Sequence, residues 1–574
     1  MPFRRAYVTW LLRLDKTSRL VLLSVIVGFV GAGGAHLFLW MVNVASDLFI
    51  VGIAGMPALE PEQAVALGAS PAQPVLNWLI PVSTTLGGLL VGLLIAAVAP
   101  EAEGHGTDAA IRSFHRLGGY VRTRIPIVKT VASAITIGSG GSAGREGPTA
   151  QIASGFGAIT ATWLKLPDDE RRTLMLAGMA AGLSAIFRSP LGTAIFAVEV
   201  LYSSLAFESA ALVFTFIGAA TAYAVSGTFT GFAPLFELSA GISFTGVREL
   251  GWYALLGVAA GLLAVLVPLV YYAVRDWFSA LKLRAFLKPA LGGLAMGLIG
   301  MVFPQLLGSG YGWMQLALDG HLGLWLMLAL AVGKLVTMAL TIGSGGSGGT
   351  FAPSLYVGVM LGGFMAAGLG AITPSAPPPQ TFAVVGMAAV FAGAARVPLA
   401  TLIMVAEMTG GYQLILPTMM AVAISFMVQE RISRGMKYPT LHEDAVAHPG
   451  DSPVHQAEYL QTVVRLLKQR AVTLDPAVVD SELVKRLQQG DSVPLAGGQE
   501  LVFMAQVPEG SGLAGVPLRA LALPAEVLLM SVLRGDQAII PDGSTELHAG
   551  DRLTVVATED SMGAFKRRLS QVTD

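Results

Sequence analysis

Two glycine-rich segments, TIGSGGSAGREGPT at 136–149 and TIGSGGSGGTFAPS at 341–354, are nearly identical and lie 205 residues apart. A single lysine stands seven residues before each segment, Lys129 in one case and Lys334 in the other, among apolar residues. A flexible loop repeated among apolar segments is typical of membrane transporters, which build a site near the middle of the bilayer from broken helices. The sequence therefore predicts a duplicated membrane domain around these loops.

The composition supports a membrane location for most of the chain. Of 574 residues, 54% are apolar and 13% are charged, which is about half the charged fraction of an average soluble protein. Lys334 is the only charged residue between Asp319 and Arg396. That stretch is long enough for three or more membrane spans of roughly 20 residues each.

The apolar runs divide the chain into a membrane part and a tail. The membrane domain is predicted at residues 1–441, with repeat halves at about 76–230 and 250–438. Several runs are shorter than the roughly 20 residues of a full crossing, and such helices end inside a membrane only where protein or a polar cavity surrounds them. We therefore expect half-spanning helices that converge on a polar site. Residues 442–498 are predicted to connect them to a small cytoplasmic α/β domain at 499–574.

Charge and cysteine content exclude several functions. The net charge of −1 gives no reason to expect a nucleic-acid partner, and the absence of cysteine excludes disulfides, thiolate metal sites and thiol catalysis. No nucleophile, base and orienting group gather in one motif, so an enzyme is not expected. Basic residues flank the first and last spans, which predicts that both termini are cytoplasmic. They are Arg4, Arg5, Arg13, Lys16, Arg19, Arg431, Arg434 and Lys437. With no targeting signal evident, a multi-pass protein of the plasma (inner) membrane is expected.

The GREGPT motif at 144–149 has the chemistry of an anion site. A proline preceded by glycines indicates a helix start, where unpaired amides and the helix dipole favour an anion. Glu146 lies at that positive end, so its carboxylate can take the place of an anion when charged and leave it when protonated. Glu146 is therefore a candidate gate. The alternative is a structural ion pair with Arg145 or another base, although carboxylates inside a membrane are costly and mostly functional.

The second loop, GGTFAP at 348–353, has the same order of glycines and proline without a carboxylate. Its amides are predicted to form the opposing half of an anion cradle. Glycines that serve only close helix packing explain a single loop better than a repeated pair. A nucleotide loop is excluded because it needs a lysine before its last serine or threonine, where Pro148 stands here. A potassium filter of the TVGYG type is also absent, and the GYG at 310–312 resembles it only weakly.

Four elements together resemble one family. GREGPT at 144–149, GGTFAP at 348–353, the Gly-His-Gly element at 104–106, and Tyr438, expected in the last membrane helix, resemble the CLC chloride channels and chloride/proton antiporters. The resemblance covers about residues 18–441. It implies an all-α polytopic membrane fold with an inverted-topology repeat and half-spanning helices. It also implies a homodimer with one pore per subunit, no cofactor, and chloride as the substrate, held by helix N-termini rather than by full charges.

The resemblance assigns roles to single residues. It implies that Glu146 is the external gate. The implied anion-binding residues are His105, Gly106, Arg145, Gly147, Thr350, Phe351 and Tyr438. Well-known members have a serine where this chain has His105, which leaves two interpretations open: the imidazole donates to the anion, or it turns away and backbone amides bind the ion. Chloride is the expected ion, with fluoride, nitrate and bromide as alternatives.

A second departure concerns protons. In the family's antiporters two successive glutamates follow the PLAG-like turn, and the second passes protons from the cytoplasm. In this chain PLGT at 190–193 leads to Glu199 and Val200, and valine does not titrate. We therefore expect passive, channel-like conduction gated by Glu146. The alternatives are a chloride/proton antiporter in which Glu199 or water relays protons, and a non-conducting ligand sensor, which the intact cradle argues against.

Three other ionisable residues of the membrane part are given structural or background roles. Lys129 and Lys334 either supply a positive field or are buried lysines satisfied by carbonyl groups. Glu407 lies 208 residues after Glu199 in the second repeat and is expected to cap a helix or to pair within the bundle.

The tail resembles a different family. PEGSGLAGVPLRAL at 508–521, the RGDQAIIPDG hairpin at 534–543 and HAGDRLTVV at 548–556 resemble the TrkA-C domain, also called the C-terminal RCK domain. This implies a small α/β module that dimerises and often binds a regulatory ligand, including a cyclic dinucleotide in some members. A purely structural dimer clamp is the alternative. An amphipathic helix is expected at 457–487, and short strands are expected at 500–507, 526–533 and 536–540.

Overall fold

The structure is a computed structural model that falls into two compact units, Met1–Ala445 and Val446–Asp574. It describes residues 11–571 except residue 12 and the positions 57–76, 240–241, 245, 374–376, 456–486, 488–490, 495–499, 522, 524–525, 535–536 and 540. The predicted helix at 457–487 lies outside the described residues apart from Leu487.

Sixteen α-helices of eight residues or more form the described part of the first unit, eight in each half. The first eight are α1 Lys16–Ser46, α2 Leu79–Val98, α3 Thr107–Arg116, α4 Arg124–Gly138, α5 Glu146–Trp163, α6 Asp168–Phe187, α7 Pro190–Glu199 and α8 Leu212–Thr230. The second eight are α9 Leu250–Ala280, α10 Lys288–Val302, α11 Tyr311–Leu318, α12 Leu324–Gly343, α13 Phe351–Gly370, α14 Pro379–Ala395, α15 Pro398–Thr409 and α16 Ile415–Ser433.

The lengths of these helices confirm the predicted membrane architecture. Among the described residues, eight helical stretches are long and apolar enough to cross a membrane. Four others, α3, α7, α11 and α15, have only 10, 10, 8 and 12 residues, which is about half the length of a full crossing. They occupy the same places in the two halves, so each half has two half-spanning helices.

The ends of α6 and α14 illustrate how the sequence sets the repeat. Each helix ends at an arginine in the left-handed conformation, Arg188 with φ 55° and Arg396 with φ 57°. The next helix begins two residues later at Pro190 or Pro398, since proline has the backbone angle of a first helical residue and needs no amide partner there. At matching places in the two halves, a left-handed residue therefore ends one helix, and the proline two residues later begins the next.

Glycines let the central helices of each half approach closely. A Cβ placed on Gly157 of α5 would lie 2.1 Å from the carbonyl oxygen of Leu174 in α6. In the second half, a Cβ on Gly358 of α13 would lie 2.3 Å from the carbonyl oxygen of Gly386 in α14. Small residues at such crossings provide the van der Waals contact that holds membrane helices together. This packing holds α5 and α13, the two helices that follow the repeated loops, against α6 and α14.

The second unit has a five-stranded antiparallel sheet in the order β1-β2-β5-β3-β4. The strands are β1 Val493–Pro494, β2 Glu500–Gln506, β3 Leu528–Arg534, β4 Gln537–Ile539 and β5 Arg552–Thr558, and helix α17 Glu559–Leu569 follows them. Phe503, Leu553 and Phe565 share its buried core. The three predicted strands of the tail are confirmed as β2, β3 and β4, and the small α/β domain is confirmed.

Candidate functional site

The repeated loops bind each other through their backbones. The amide of Gly144 donates to the carbonyl of Gly349 at 2.7 Å, and the amide of Gly349 donates back at 2.6 Å. The Gly-His-Gly element joins them, because the amide of Gly104 donates to Gly346 at 3.0 Å and the amide of Gly348 donates to Gly104 at 3.3 Å. Three segments that the sequence analysis singled out therefore meet at one place.

Glu146 is the first residue of α5, and it is buried with 2% of its surface exposed. One carboxylate oxygen accepts a hydrogen bond from the hydroxyl of Tyr311, and the other accepts from the amide of Ala352 at 3.4 Å. Ala352 is the second residue of α13, so the carboxylate of one half lies at the N-terminus of a helix from the other half. The amide and the helix dipole at that end favour negative charge.

Tyr311 is a site residue that sequence reasoning missed. It begins α11, and its ring lies under the guanidinium carbon of Arg145, 4.6 Å from the ring centre. A signal was present in the repeat: Gly310 before Tyr311 has φ 83°, and Gly106 before α3 has φ 85°. The equivalence of these two glycines would have predicted that the start of α11 belongs to the site.

Phe351, at the start of α13, forms the centre of an aromatic cluster. Its ring centroid lies 4.6 Å from that of Phe187, 4.3 Å from that of Phe391 and 6.2 Å from that of Phe196. Thr350 directly before it is buried with 4% exposure. The rings surround the helix start with apolar surface, while the first amides of α13 have no acceptor within their own helix. Such a place suits a partly dehydrated anion better than a cation.

The backbone of the His105 element reaches the start of α5. A Cβ on Gly147 would lie 2.0 Å from the carbonyl oxygen of His105, and a Cβ on Gly106 would lie 2.6 Å from the carbonyl oxygen of Gly147. The ring of His105 has another partner, because its Nε2 lies 2.9 Å from Oδ2 of Asp108. The imidazole of His105 therefore contacts a carboxylate, and backbone groups of this element approach α5.

Both buried lysines hold carbonyl oxygens. The ammonium of Lys129 donates to Gly104 at 2.6 Å and to Ala102 at 3.0 Å. The ammonium of Lys334 donates to Gly308 at 2.8 Å and to Leu306 at 3.1 Å. Each lysine therefore fixes the turn before a half-spanning helix, α3 in the first half and α11 in the second. The alternative of buried lysines satisfied by carbonyls is the one observed.

Glu199 and Glu407 each cap a helix in the opposite half of the repeat. The carboxylate of Glu199 accepts from the amides of Leu399 and Ala400 at 3.0 and 2.7 Å, at the start of α15. The carboxylate of Glu407 accepts from the amide of Gly192 at 2.9 Å, at the start of α7, and from the hydroxyl of Ser189 at 2.6 Å. The expected capping role of Glu407 is confirmed. Val200 follows Glu199 directly and is buried with 1% exposure.

The position expected for Tyr438 is wrong. Helix α16 ends at Ser433, because Arg434 leaves the helical conformation with ψ 121° and Gly435 has φ 85°. Tyr438 therefore lies in the following segment. Its hydroxyl accepts from Arg275 at 2.9 Å and donates to Asp276 at 3.2 Å. These residues belong to the end of α9, so the hydroxyl is engaged away from Glu146 and Ala352.

A cavity of about 490 Å³ lies beside the cradle, and Glu103, His105, Asp108 and Tyr271 are among its lining residues. His442, which follows the last span, is buried with 3% exposure, and its Nδ1 lies 3.4 Å from Oδ1 of Asp108. Burial lowers the pKa of the His442 ring below its usual value near 6.5. The ring is therefore neutral at pH 7, and its proton-binding range lies on the acid side.

The family of the chain follows from the cradle and from a match over most of the membrane unit. A family model described as voltage gated chloride channel matches residues 87–430. The chain belongs to this family. Membership in the CLC family confirms the resemblance stated from the motifs, and it makes the chain a multi-pass, CLC-type anion transport protein.

Curated CLC relatives cover most of the same region. The chain is 31% identical over 420 residues to an H⁺/Cl⁻ exchange transporter, ClcA, of Citrobacter koseri, a match that spans 71% of this chain and 85% of the relative. It is 32% identical over 346 residues to a putative chloride channel protein, ClcB-like, of Ralstonia nicotianae, spanning 59% of this chain and 79% of the relative. These relatives carry the names of both transport modes.

Solved structures share the fold. A slow cyanobacterial Cl⁻/H⁺ antiporter superposes with a TM-score of 0.60 at 23% identity and covers 73% of this chain and 95% of its own. A CLC-type fluoride/proton antiporter superposes with a TM-score of 0.62 at 19% identity, covering 75% and 98%. The CLC fold predicted from the repeated loops is therefore confirmed.

The tail also matches its expected family, since a TrkA-C domain model matches residues 502–570. Within it, the guanidinium of Arg534 binds both oxygens of Asp551, at 3.0 and 2.8 Å, and the side-chain hydrogen bond to this carboxylate raises the pKa of Arg534. Asp551 is buried with 1% exposure, so the pair ties the end of β3 to the turn before β5. Two of the three motifs that carried the resemblance meet in this pair.

Proposed function

We propose that this protein conducts chloride passively through a path that Glu146 gates. The observation that carries the proposal is the Glu146 carboxylate, which lies against the amide of Ala352 and the hydroxyl of Tyr311. An oxygen at a helix N-terminus is in the position that attracts any anion. A chloride ion and this carboxylate therefore compete for the same donors.

The anion ligands in this proposal are backbone amides at three helix starts. These amides belong to Gly106 before α3, to Arg145 and Gly147 at α5, and to Thr350 and Phe351 at α13. Partial charges of this kind hold an ion strongly enough for entry and weakly enough for release. His105 and Tyr438, whose polar atoms contact Asp108 and Asp276, contribute to the approach of the ion rather than to its coordination.

Protonation of Glu146 opens the path. A charged carboxylate accepts hydrogen bonds more strongly than a neutral one, so adding a proton weakens its contacts with Ala352 and Tyr311. The side chain then leaves the donors, and an anion takes its place. Loss of the proton reverses the exchange. External acid is therefore expected to increase anion flux.

Passive conduction is favoured over exchange by two neighbouring residues. Val200 stands where the family's antiporters carry their inner proton glutamate, and its side chain binds no proton. Glu199 accepts two amide hydrogen bonds at the start of α15, so this carboxylate already serves as a helix cap. Without a proton carrier on the inner side, anion movement is not tied to proton movement.

Chloride/proton exchange is the second candidate function. It is favoured by the names of the relatives, since the Citrobacter koseri protein is an H⁺/Cl⁻ exchange transporter and a protein of the same fold is a fluoride/proton antiporter. In this case Glu146 would carry the proton on the outer side, and water in the cavity beside His105 would supply it from within. Fluoride is then the alternative ion.

The setting of the pore is part of the proposal. We place the protein in a plasma (inner) membrane as a homodimer, as the family implies, with both termini in the cytoplasm because basic residues flank the first and last spans. The TrkA-C domain at 499–574 then lies in the cytoplasm, where a nucleotide such as a cyclic dinucleotide regulates flux. Removal of residues 443–574, with flux measured with and without nucleotides, tests this role. If nucleotides do not change the flux of the full chain and the shortened chain no longer dimerises, the tail is a structural dimer clamp and not a regulator.

The reversal potential of purified protein in liposomes separates the two transport modes. With a chloride gradient and a superimposed pH gradient, a channel reverses at the chloride equilibrium potential whatever the pH difference. A reversal potential that moves with pH would overturn passive conduction and support exchange. Absence of any anion flux from the full-length protein would overturn both and leave a non-conducting sensor.

A further inference from the structure

A buried cluster beside the cradle joins three residues that are distant in sequence. His105 precedes α3, Asp108 lies in its first turn, and His442 follows the last span. His105 and His442 are 4% and 3% exposed, and Asp108 is 14% exposed. One ligand atom from each of the three lies within 4.8 Å of the other two. His105 and Asp108 line the 490 Å³ cavity, and His442 lies against Asp108.

Two ring nitrogens of this cluster, Nδ1 of His105 and Nε2 of His442, have no hydrogen-bond partner among the described residues. Nδ1 of His442 and Oδ1 of Asp108 contact each other only at 3.4 Å. Buried polar atoms are nearly always satisfied, and an ion is one explanation for an exception. Burying a ring nitrogen without a partner costs free energy. The cluster therefore has room and donors for a bound species.

The donor set, two imidazoles and one carboxylate, is one that zinc and similar transition-metal ions bind. Nε2 of His105 lies 2.9 Å from Oδ2 of Asp108, and Nδ1 of His442 lies 3.4 Å from Oδ1. Ligand bonds of about 2.0–2.1 Å in a tetrahedral zinc site put neighbouring ligand atoms roughly 3.3 Å apart. We propose that His105, Asp108 and His442 bind a zinc-like divalent transition-metal ion, which regulates the anion path.

The surroundings hold the ligands in place. The edge of the Tyr271 ring packs on His105, with centroids 5.8 Å apart. The main chain beside His442 is fixed twice, since the amide of Leu441 donates to Ala394 at 3.0 Å and its carbonyl accepts from Tyr272 at 2.8 Å. Groups that fix the orientation of metal ligands are as much part of a metal site as the ligands themselves.

Neighbouring basic groups leave the charge of Asp108 available to a cation. Arg112 binds Asp444 at 2.7 Å, and Arg275 binds Glu443 at 2.8 Å. Both guanidinium groups therefore have carboxylate partners other than Asp108. Glu103 also lines the cavity, whereas the carboxylate of Glu101 there is paired with Arg122.

A metal here would act on the anion path, and this regulation rests on the proposed function. Three protein ligands leave a fourth coordination position, and the ion adds two positive charges next to Gly104 and Gly106. A full charge holds an anion much longer than amide dipoles do, so bound zinc is expected to slow flux. Metal binding itself is independent of transport and is measured separately.

Zinc binding to the chelator-treated, full-length protein in detergent tests the site. Elemental analysis after gel filtration should find one tightly bound zinc per chain, and competition with a chromophoric chelator gives its affinity. His442→Ala and Asp108→Asn should each weaken binding by at least about 100-fold, because each removes a ligand. His321→Ala, at an exposed histidine, is the matched control and should bind as tightly as the unmodified chain. Equal affinity in all four proteins would overturn the site.

A second variant guards against misfolding of His442→Ala. The chain contains no cysteine, so His442→Cys introduces its only thiol, a good ligand for the same metals. Addition of Co²⁺ to this variant should produce a thiolate-to-cobalt charge-transfer band that the unmodified chain lacks. Absence of the band in protein that still elutes as a folded species would contradict the assignment of His442. Flux in liposomes should fall with internal zinc in the unmodified chain and not in His442→Ala, whereas zinc-free flux tests the proposed function alone.

Discussion

The two halves of the membrane unit share their backbone contacts but differ in the side chains at the site. Lys129 and Lys334 hold carbonyl oxygens at equivalent turns, and each half ends a central helix with a left-handed arginine. At the two helix starts of the cradle the halves diverge, since α5 begins with Glu146 and α13 begins with Phe351. One start carries a charge that can move, and the other carries an anchored aromatic ring.

A second divergence lies before the half-spanning helices. His105 and Asp108 in the first half correspond to Ser309 and Gly312 in the second, because the two lysines hold Gly104 and Gly308 in the same way. The first half therefore contributes two residues to the buried histidine cluster, and the third, His442, follows the last helix of the second half. The comparison teaches that the side chains shared by both halves, such as Lys129 and Lys334, hold backbone carbonyls, whereas the proposed gate Glu146 is present in one half only.

The largest effect is expected at the residue that breaks the symmetry. Glu146→Gln removes the competing charge, whose two hydrogen bonds are each worth about 1.5–3 kcal/mol. Anion flux at neutral pH should then rise at least tenfold, and its increase with external acid should vanish. Measurements of chloride efflux from liposomes at several external pH values check this. A variant that stops conducting would show that Glu146 is not a gate whose side chain moves out of the ion path.

The paired lysines should behave alike. Lys129→Met and Lys334→Met each remove two hydrogen bonds to carbonyl oxygens before a half-spanning helix, and each should lower the free energy of unfolding in detergent by about 2 kcal/mol. Lys437→Met, at a side chain that is 73% exposed, should change little. If one of the buried lysines proved neutral for stability but decisive for flux, the assignment of both to the fold would fail.

The reciprocal caps should also give equal and somewhat smaller losses. Glu199→Gln and Glu407→Gln keep the size of the side chain and weaken the charged cap at the start of α15 or α7, at a cost of about 1–2 kcal/mol. Neither change should move the reversal potential under a pH gradient. A change in coupling confined to Glu199→Gln would restore that residue as a proton carrier and favour exchange.

The smallest effect is expected at Tyr438. Tyr438→Phe removes one hydroxyl that bridges Arg275 and Asp276 and leaves the ring stacked on Tyr272, at a cost of about 0.5–1.5 kcal/mol. Chloride affinity and the ratio of chloride to fluoride flux should stay within twofold of the unmodified protein. A large shift in that ratio would mean that the hydroxyl reaches the anion during transport.

Much of the site could be predicted because it is built from local signals. Glycine followed by proline indicates a helix start, and a glutamate in that motif is a candidate gate wherever the rest of the chain lies. Tyr311 was missed because it meets Glu146 across 165 residues and its own surroundings suggested no role. His442 was missed because its partners are 334 and 337 residues away. Tyr438 was misplaced because the end of α16 depends on the turn at Gly435, which sequence pattern alone did not reveal.

The backbone pair between Gly144 and Gly349 joins the two repeated loops just before α5 and α13, the helix starts of the proposed ion path. Its two hydrogen bonds join main-chain atoms, so no side-chain replacement other than proline removes a donor from it. Stretching or thinning of the bilayer tilts whole helices, but these two hydrogen bonds hold the starts of α5 and α13 at a fixed distance from each other. Discrimination among ions by radius should therefore be the same in thick and thin membranes, even where the rate of transport is not.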